Sequence, residues 1–242
     1  MTEKYQAMRE GGAHLHRIKN QLQTYAVVGR LFSEVEELAQ KLIRDCGAKP
    51  NFSLVPGYKW AICINKNEGI VHGIPNETKI EDGDLISIDL GLLWQNWNLD
   101  TSISFIVGKS TPEKDYFLAV GQKALKKTID RAIAGNSIYD LSHEIEKTIK
   151  RAGFDPSGQL AGHYIGRDLH EDPLVPCVAH KADRRKIIKI GDTMAIEVMY
   201  AMENCDIVLA KDGWTYETRD KSWSALFEDT IIITENGAEV LT

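Results

Sequence analysis

The sequence predicts an α+β fold in which helices pack on one side of a curved, mostly antiparallel sheet. Two observations support this prediction. Helix-type and strand-type segments follow one another in blocks, and turn-forming pairs such as Pro56-Gly57, Asp82-Gly83 and Asp212-Gly213 separate the short strands. The order is helices, strands, helices, strands, so the two halves share one layout. We expect residues 1–242 to form a single domain.

Four helices are predicted from apolar residues at helical spacing, and they cover about residues 3–24, 33–45, 112–134 and 138–152. Thr111 and Pro112 are a good start for the third helix, because a capping residue is followed by proline at the first helical position. Gly47 is a good end for the second helix. The pair Gly11-Gly12 should weaken the middle of the first helix, since glycine is a poor helix former.

The composition excludes several classes of protein. Of the 242 residues, 43% are hydrophobic and 26% are charged, which is typical of a soluble globular protein. The net charge of −6 argues against a nucleic-acid binder. No run of 18 apolar residues predicts a membrane span, and the polar N-terminus does not resemble a signal peptide. Four widely spaced cysteines favour reduced thiols in the cytoplasm: Cys46, Cys63, Cys177 and Cys205.

The segment from Leu85 to Val107 is predicted to form a β-hairpin that holds two acids. Asp89 lies near the end of the first strand, and Asp100 lies at the start of the second. The hairpin would bring both carboxylates to one pocket, where they would repel each other unless a cation lay between them. The alternative for each aspartate is that it simply ends a strand or caps a turn.

Further polar side chains lie in segments that otherwise suit a packed core. His72 lies in VHGIP, and GHYIGRDLHEDP contains His163 and His170 between turn-forming glycines. Glu197 and Glu228 each interrupt an apolar strand. A lone histidine is usually an ordinary hydrogen-bonded residue. Glu197 is harder to explain in this way, because an unpaired glutamate between Ile and Val is rarely buried.

Together these residues predict a metal centre. Asp89, Asp100, Glu197 and Glu228 would bring four negative charges into one pocket, which requires about four positive charges in return. Two divalent cations would supply them. Carboxylate ligands with one imidazole, that of His163, suit a pair of Mn, Fe, Co or Zn ions. Such a pair activates water and polarises a carbonyl oxygen, so the predicted reaction is hydrolysis.

The sequence also resembles a known family. The segments NEGIVHGIP, GDLISIDLG, GHYIGRDLHEDP, KDGWT and FEDTIIITENGAEVLT occur in the order found in methionine aminopeptidases of the pita-bread fold. The resemblance extends from about residue 3 to Thr242. The chain is similar to the type I form, since it lacks the insert of type II and a zinc-binding N-terminal extension. The resemblance implies a single pita-bread catalytic domain that removes N-terminal methionine.

The resemblance also implies a role for each proposed ligand. Asp89 would bind one metal ion, and His163 and Glu197 would bind the other. Asp100 and Glu228 would bridge the two ions. Glu197 would in addition transfer a proton from the attacking water.

Substrate binding is implied in the same way. His170 would hydrogen-bond the scissile carbonyl or the tetrahedral intermediate, and His72 would contact the peptide nitrogen and assist the leaving group. The first side chain of the substrate would enter a pocket formed by Phe52, Val55, Tyr58, Cys63, Leu169 and Trp214. The implied substrates are the N-termini of peptides and nascent chains. We therefore expect a cytoplasmic monomer that acts near the ribosome and binds neither nucleic acid nor membrane.

Several positions depart from the family pattern. Phe52, Val55 and Leu169 stand where Cys, Tyr and Phe are expected, and Tyr164, Val198 and Asp229 replace Gly, Pro and His beside the ligands. The Glu-Asp-Thr run at 228–230 resembles the proline-specific aminopeptidase P and prolidase. Those relatives have a separate N-terminal domain and an Arg after the second Asp, which this chain lacks. A non-catalytic pita-bread protein that binds peptides is the remaining alternative.

Overall fold

The computed structural model describes residues 3–242, and the four predicted helices are present in this range. They are α1 (Glu3–Tyr25), α2 (Phe32–Asp45), α3 (Pro112–Arg131) and α4 (Ile138–Arg151). Helix α3 begins as predicted, with the Thr111 hydroxyl accepting a hydrogen bond from the Lys114 amide. It ends three residues earlier than predicted, because Ala132 has left the helical region with φ −76° and ψ 73°.

The strands form an antiparallel sheet with a smaller three-stranded sheet beside it. They are β1 (Lys49–Pro50), β2 (Ile62–Lys66), β3 (Gly69–Val71), β4 (Leu85–Trp94), β5 (Trp97–Ile106), β6 (Asp155–Pro156), β7 (Ala161–Tyr164), β8 (Glu171–Pro176), β9 (Thr193–Ala201), β10 (Ile207–Leu209), β11 (Tyr216–Thr218), β12 (Ser224–Thr234) and β13 (Gly237–Val240). The main sheet has the order β1-β4-β5-β12-β9-β7-β8, with β2 on β4, β13 on β12 and β6 on β9. The smaller sheet has the order β10-β11-β3.

The predicted hairpin is formed by β4 and β5, which pair from Leu85↔Ile106 to Trp94↔Trp97. Gln95 and Asn96 make the two-residue turn, and both have positive φ, of 49° and 65°. Two-residue turns of this kind match the right-handed twist of the strands that they connect. The turn thereby sets the register that decides which residues of β5 face those of β4.

The two faces of the sheet differ in character. Along β4, Ile86, Ile88 and Leu90 are fully buried against the core that α1 and α2 share with the sheet. Ser87 and Asp89 alternate with them and point to the opposite face. A second apolar core lies under α3 and α4. The helices therefore cover one face, and the polar residues lie on the other. Within residues 3–242, no helix is long and apolar enough to span a membrane.

Helix α1 runs without interruption through Gly11 and Gly12, although glycine is a poor helix former. Both glycines are needed where the helix touches the sheet. A Cβ atom on Gly11 would lie 2.6 Å from Leu99 Cδ1, and one on Gly12 would lie 2.8 Å from Leu241 Cβ. Close packing of the helix against the sheet therefore replaces the lost helix propensity.

Gly12→Ala tests this packing directly. Helix propensity alone would stabilise the protein by about 1 kcal/mol. We expect a loss of about 1–3 kcal/mol instead, since the new methyl group overlaps Leu241. Urea denaturation measures the difference, with Gln21→Ala on the exposed side of α1 as the control that should change stability little. A more stable Gly12→Ala variant would contradict the packing explanation.

Candidate metal centre

One row of side chains crosses five strands on the face of the sheet opposite the helices. Cys63 of β2 pairs with Asp89 of β4, and Asp89 pairs with Ser102 of β5. Ser102 pairs with Glu228 of β12, which in turn pairs with Glu197 of β9. Directly paired residues point to the same face of a sheet. The strand register alone therefore brings three carboxyl groups into one line.

Asp100 and His163 reach the same face because each lies next to this row. Asp100 precedes Ser102 by two residues on β5, and residues two apart on a strand share a face. His163 of β7 pairs with Ala195, which precedes Glu197 by two residues on β9. Potential ligand atoms of Asp100, His163 and Glu228 all lie within 4.8 Å of one another. His163 Nε2 is 3.5 Å from Glu197 Oε1.

These residues fit a bound cation. Asp89 Oδ1 and Glu228 Oε1 are buried and have no hydrogen-bond partner among the described residues. A buried carboxylate oxygen without a partner is costly unless a cation or a proton compensates it. The donor set of carboxylates with one imidazole is that of a divalent transition metal.

Burial raises the pKa of all four carboxyl groups. The pKa of Asp89 rises to about 7 because the group is removed from water. For Asp100, Glu197 and Glu228, burial comes first and the charge of neighbouring carboxylates adds to it, so their pKa values lie well above the usual range. Without a cation, the site therefore retains protons at pH values where exposed carboxyl groups have lost them.

His163 is oriented for ligation through one particular nitrogen. Its Nδ1 lies 2.9 Å from the carbonyl oxygen of Tyr164, which can only accept, so Nδ1 carries the proton. The lone pair of Nε2 then points toward Glu197. Burial, with the nearby His170, lowers the pKa of His163 to about 4. The neutral imidazole is the form that binds metal ions.

Two further histidines lie at the exposed rim of the site. The His170 ring is 4.4 Å from that of His163, centroid to centroid. His72 follows β3 in a left-handed conformation, with φ 58°, and its ring contacts Tyr216 edge-on at 5.9 Å. A non-glycine residue with positive φ costs energy, and such residues occur often at functional sites.

An apolar pocket continues from the carboxylates. Tyr58 stacks edge-on with Trp214, with centroids 5.1 Å apart, and its hydroxyl donates to the Ile62 carbonyl oxygen at 2.8 Å. Cys63 and Phe52 pack in the same cluster. A single cavity is lined by all thirteen side chains predicted for the site: Phe52, Val55, Tyr58, Cys63, His72, Asp89, Asp100, His163, Leu169, His170, Glu197, Trp214 and Glu228.

Three of the residues that depart from the family pattern have side chains that point away from this cavity. Asp229 and Val198 follow Glu228 and Glu197 on their strands, so their side chains lie on the helix-covered face. Tyr164 follows His163 in the same way, and its hydroxyl donates to Asp192 at 2.9 Å. The Glu-Asp-Thr run therefore places its aspartate outside the cavity.

Two residues of the site were not predicted from the sequence. Val71, at the end of β3, lines the cavity beside His72. Ser102 lies in the row between Asp89 and Glu228, and its hydroxyl is buried without a hydrogen-bond partner among the described residues. The two-residue period of β5 could have identified Ser102, because it follows Asp100 by two positions.

The raised pKa values give the metal-free protein a distinctive pH dependence. A carboxyl group with a raised pKa stabilises the fold at low pH, and this contribution is lost as pH rises through the folded-state pKa, about 7 for Asp89. His163 has the opposite effect on stability, because its pKa is lowered. Its contribution makes stability rise with pH, but only below about pH 6.5. We therefore expect stability to fall between about pH 6.5 and 8.

Urea denaturation in the presence of a chelator measures this slope. Asp89→Asn should flatten it, and added Mn²⁺ should remove it, because cations favour the charged carboxylates. If the metal-free protein were equally stable at pH 6.5 and 8, the raised pKa values would be wrong.

Comparison with known proteins agrees with the geometry. A methionine aminopeptidase of Clostridium perfringens is 33% identical over 97% of this chain and 94% of its own length. The crystal structure of a methionine aminopeptidase from Thermotoga maritima superposes with a TM-score of 0.96 at 34% identity, covering 100% of this chain and 97% of the other. The prolidase of Pyrococcus horikoshii, with 22% identity and a TM-score of 0.79, shares the fold over 62% of its length.

The fold is thus the predicted pita-bread fold, with an antiparallel sheet and four helices in the described residues. The sequence profile of one family matches residues 6–235, nearly the whole chain. The chain belongs to metallopeptidase family M24.

Proposed function

We propose that the chain removes N-terminal methionine from peptides and nascent chains, using two divalent cations held by Asp89, Asp100, His163, Glu197 and Glu228. The main support for this proposal is the row of carboxyl groups that the strand register aligns on the open face of the sheet. Asp89 would serve one cation, His163 and Glu197 the other, and Asp100 and Glu228 both. Mn, Fe, Co and Zn all suit this donor set.

When bound, such cations lower the pKa of a water molecule to near neutrality and polarise the carbonyl group under attack. Glu197 would accept the proton of that water, and this role is supported by the position of its carboxylate in the cavity, 3.5 Å from His163. The same group can then pass the proton to the leaving amine.

The rim histidines are suited to the substrate peptide group. His170 can donate a hydrogen bond to the oxygen that becomes negative in the tetrahedral intermediate. His72, held by the left-handed turn after β3, can contact the peptide nitrogen and assist its departure. Both rings line the cavity that contains the carboxylates, as these roles require.

The rest of the cavity explains why an N-terminal residue would be selected. Its carboxylate end suits a positively charged α-amino group, which limits cleavage to the first peptide bond. Its other end is lined by apolar and aromatic side chains that suit an unbranched thioether: Phe52, Val55, Tyr58, Cys63, Leu169 and Trp214. We further propose that the chain acts as a monomer in the cytoplasm near the ribosome and binds no membrane. Its net charge of −6 also argues against nucleic-acid binding.

A peptide assay distinguishes this function from its alternatives. We expect release of methionine from Met-Ala-Ser, loss of this activity with a chelator, and recovery with Mn²⁺ or Co²⁺. Ala-Pro-Ala should remain intact, and its cleavage would indicate a proline-specific aminopeptidase instead. A protein that binds no metal and cleaves neither peptide would be a non-catalytic member of the family.

Glu197→Gln tests the proposed base. The amide keeps the size of the side chain but cannot accept the proton, so kcat/KM should fall by about 100- to 10,000-fold. Glu203→Gln, at an exposed position, is the matched control and should retain full activity. Circular dichroism establishes that both variants are folded. Near wild-type turnover by Glu197→Gln would rule out this residue as the base.

A further inference from the structure

Behind the metal centre, on the helix-covered face, α1 buries a lysine against the sheet. Lys19 is 8% exposed and lies among apolar residues of the same helix, Leu15, Ile18 and Leu22. Its Nζ is 3.1 Å from Asp229 Oδ1 and 2.8 Å from Thr101 Oγ1. Buried lysines are rare, and replacing a buried ion pair with apolar residues often leaves stability unchanged. Stability alone therefore does not account for this pair.

The contacts of Thr101 connect Lys19 to two of the proposed ligands. The Thr101 amide donates to Asp100 Oδ1 at 3.0 Å. The Thr101 hydroxyl donates to the backbone carbonyl of Glu228 at 2.9 Å. Asp100 and Glu228 are the two carboxylates proposed to serve both cations. Thr101 thus contacts both ligands. It binds the side chain of Asp100 and the backbone of Glu228.

Lys19 holds the hydroxyl group of this threonine from the helix side. An ammonium group has three donors and no acceptor, so Thr101 Oγ1 must accept from it. The single hydroxyl proton is then directed to the Glu228 carbonyl. Asp229 compensates the charge of Lys19 and also lies 3.5 Å from the Thr242 hydroxyl, which donates to the Asp100 carbonyl at 3.4 Å. The network spans the sheet from the helix side to the cavity side.

We infer that Lys19 is a positioning residue for the metal centre, acting through Thr101 on the strand segments that carry Asp100 and Glu228. This inference rests on the proposed metal site. Hydrogen bonds behind metal ligands hold the ligands in place, and removing such bonds commonly weakens metal affinity by about 10- to 100-fold. A role confined to folding would instead change stability and leave the affinity of the folded protein unchanged.

Two variants separate these roles. Lys19→Met leaves Asp229 unpaired, so it should lower both stability and Mn²⁺ affinity. The double variant Lys19→Met/Asp229→Asn removes the unpaired charge, so stability should recover while Mn²⁺ affinity stays about 10- to 100-fold below that of the wild type. Isothermal titration of the metal-free protein with Mn²⁺ measures affinity, and urea denaturation measures stability. Wild-type affinity in the double variant would overturn the inference.

Thr101 gives a second test that leaves the lysine in place. Thr101→Val removes the hydroxyl and should weaken Mn²⁺ binding, whereas Thr101→Ser keeps it and should restore binding. Equal affinity for both variants would also overturn the inference. Lys66→Met is the matched control, because Lys66 forms a 2.8 Å pair with the largely buried Asp84 at a position outside this network. It should lower stability without changing Mn²⁺ affinity.

The outcome for the wild type distinguishes the two proposals. A wild-type protein that binds no Mn²⁺ would overturn the proposed function together with this inference. A wild-type protein that binds Mn²⁺ and releases methionine, beside a double variant of equal affinity, would overturn only the role of Lys19.

Discussion

Electrostatic repulsion among buried carboxyl groups limits the states that this fold can adopt. The pairing of β4, β5, β12 and β9 brings Asp89, Glu228 and Glu197 into one row, with Asp100 beside it. In a folded protein these groups must either keep protons or bind cations. The raised pKa values are the first solution, and a pair of divalent ions is the second. The second leaves the carboxylates charged and able to act on a substrate.

Side chains alternate along each strand, so the two faces of the sheet have different roles. One face packs against four helices and provides the apolar cores, and the other provides the cavity. Strand positions next to the ligands therefore support the site from behind. Thr101 and Asp229 lie at such positions, and Lys19 of α1 reaches them. The family pattern alone would treat Asp229 as a change in the site, whereas its side chain belongs to the helix side.

Much of this arrangement could be predicted because it depends on patterns within short segments of the sequence. The hairpin, the four helices and the thirteen side chains of the cavity follow from apolar spacing, turn residues and a family resemblance. Contacts between distant segments could not be predicted in this way. Gly12 packs on Leu241 and Lys19 pairs with Asp229, and neither local pattern indicates a partner more than 200 residues away. The packing of Gly11 and Gly12 against distant residues could not be predicted for the same reason, since local propensity does not indicate tertiary contacts.

We propose that five side chains hold a pair of cations, and crystals grown with Mn²⁺ provide the sharpest test of this claim. Anomalous scattering at a wavelength that manganese absorbs would locate the ions independently of the protein coordinates. We expect two separate peaks in the cavity, each within bonding distance of carboxylate oxygens, with the Nε2 atom of His163 beside one of them. No peak among these five side chains, or a single peak elsewhere on the surface, would contradict the claim.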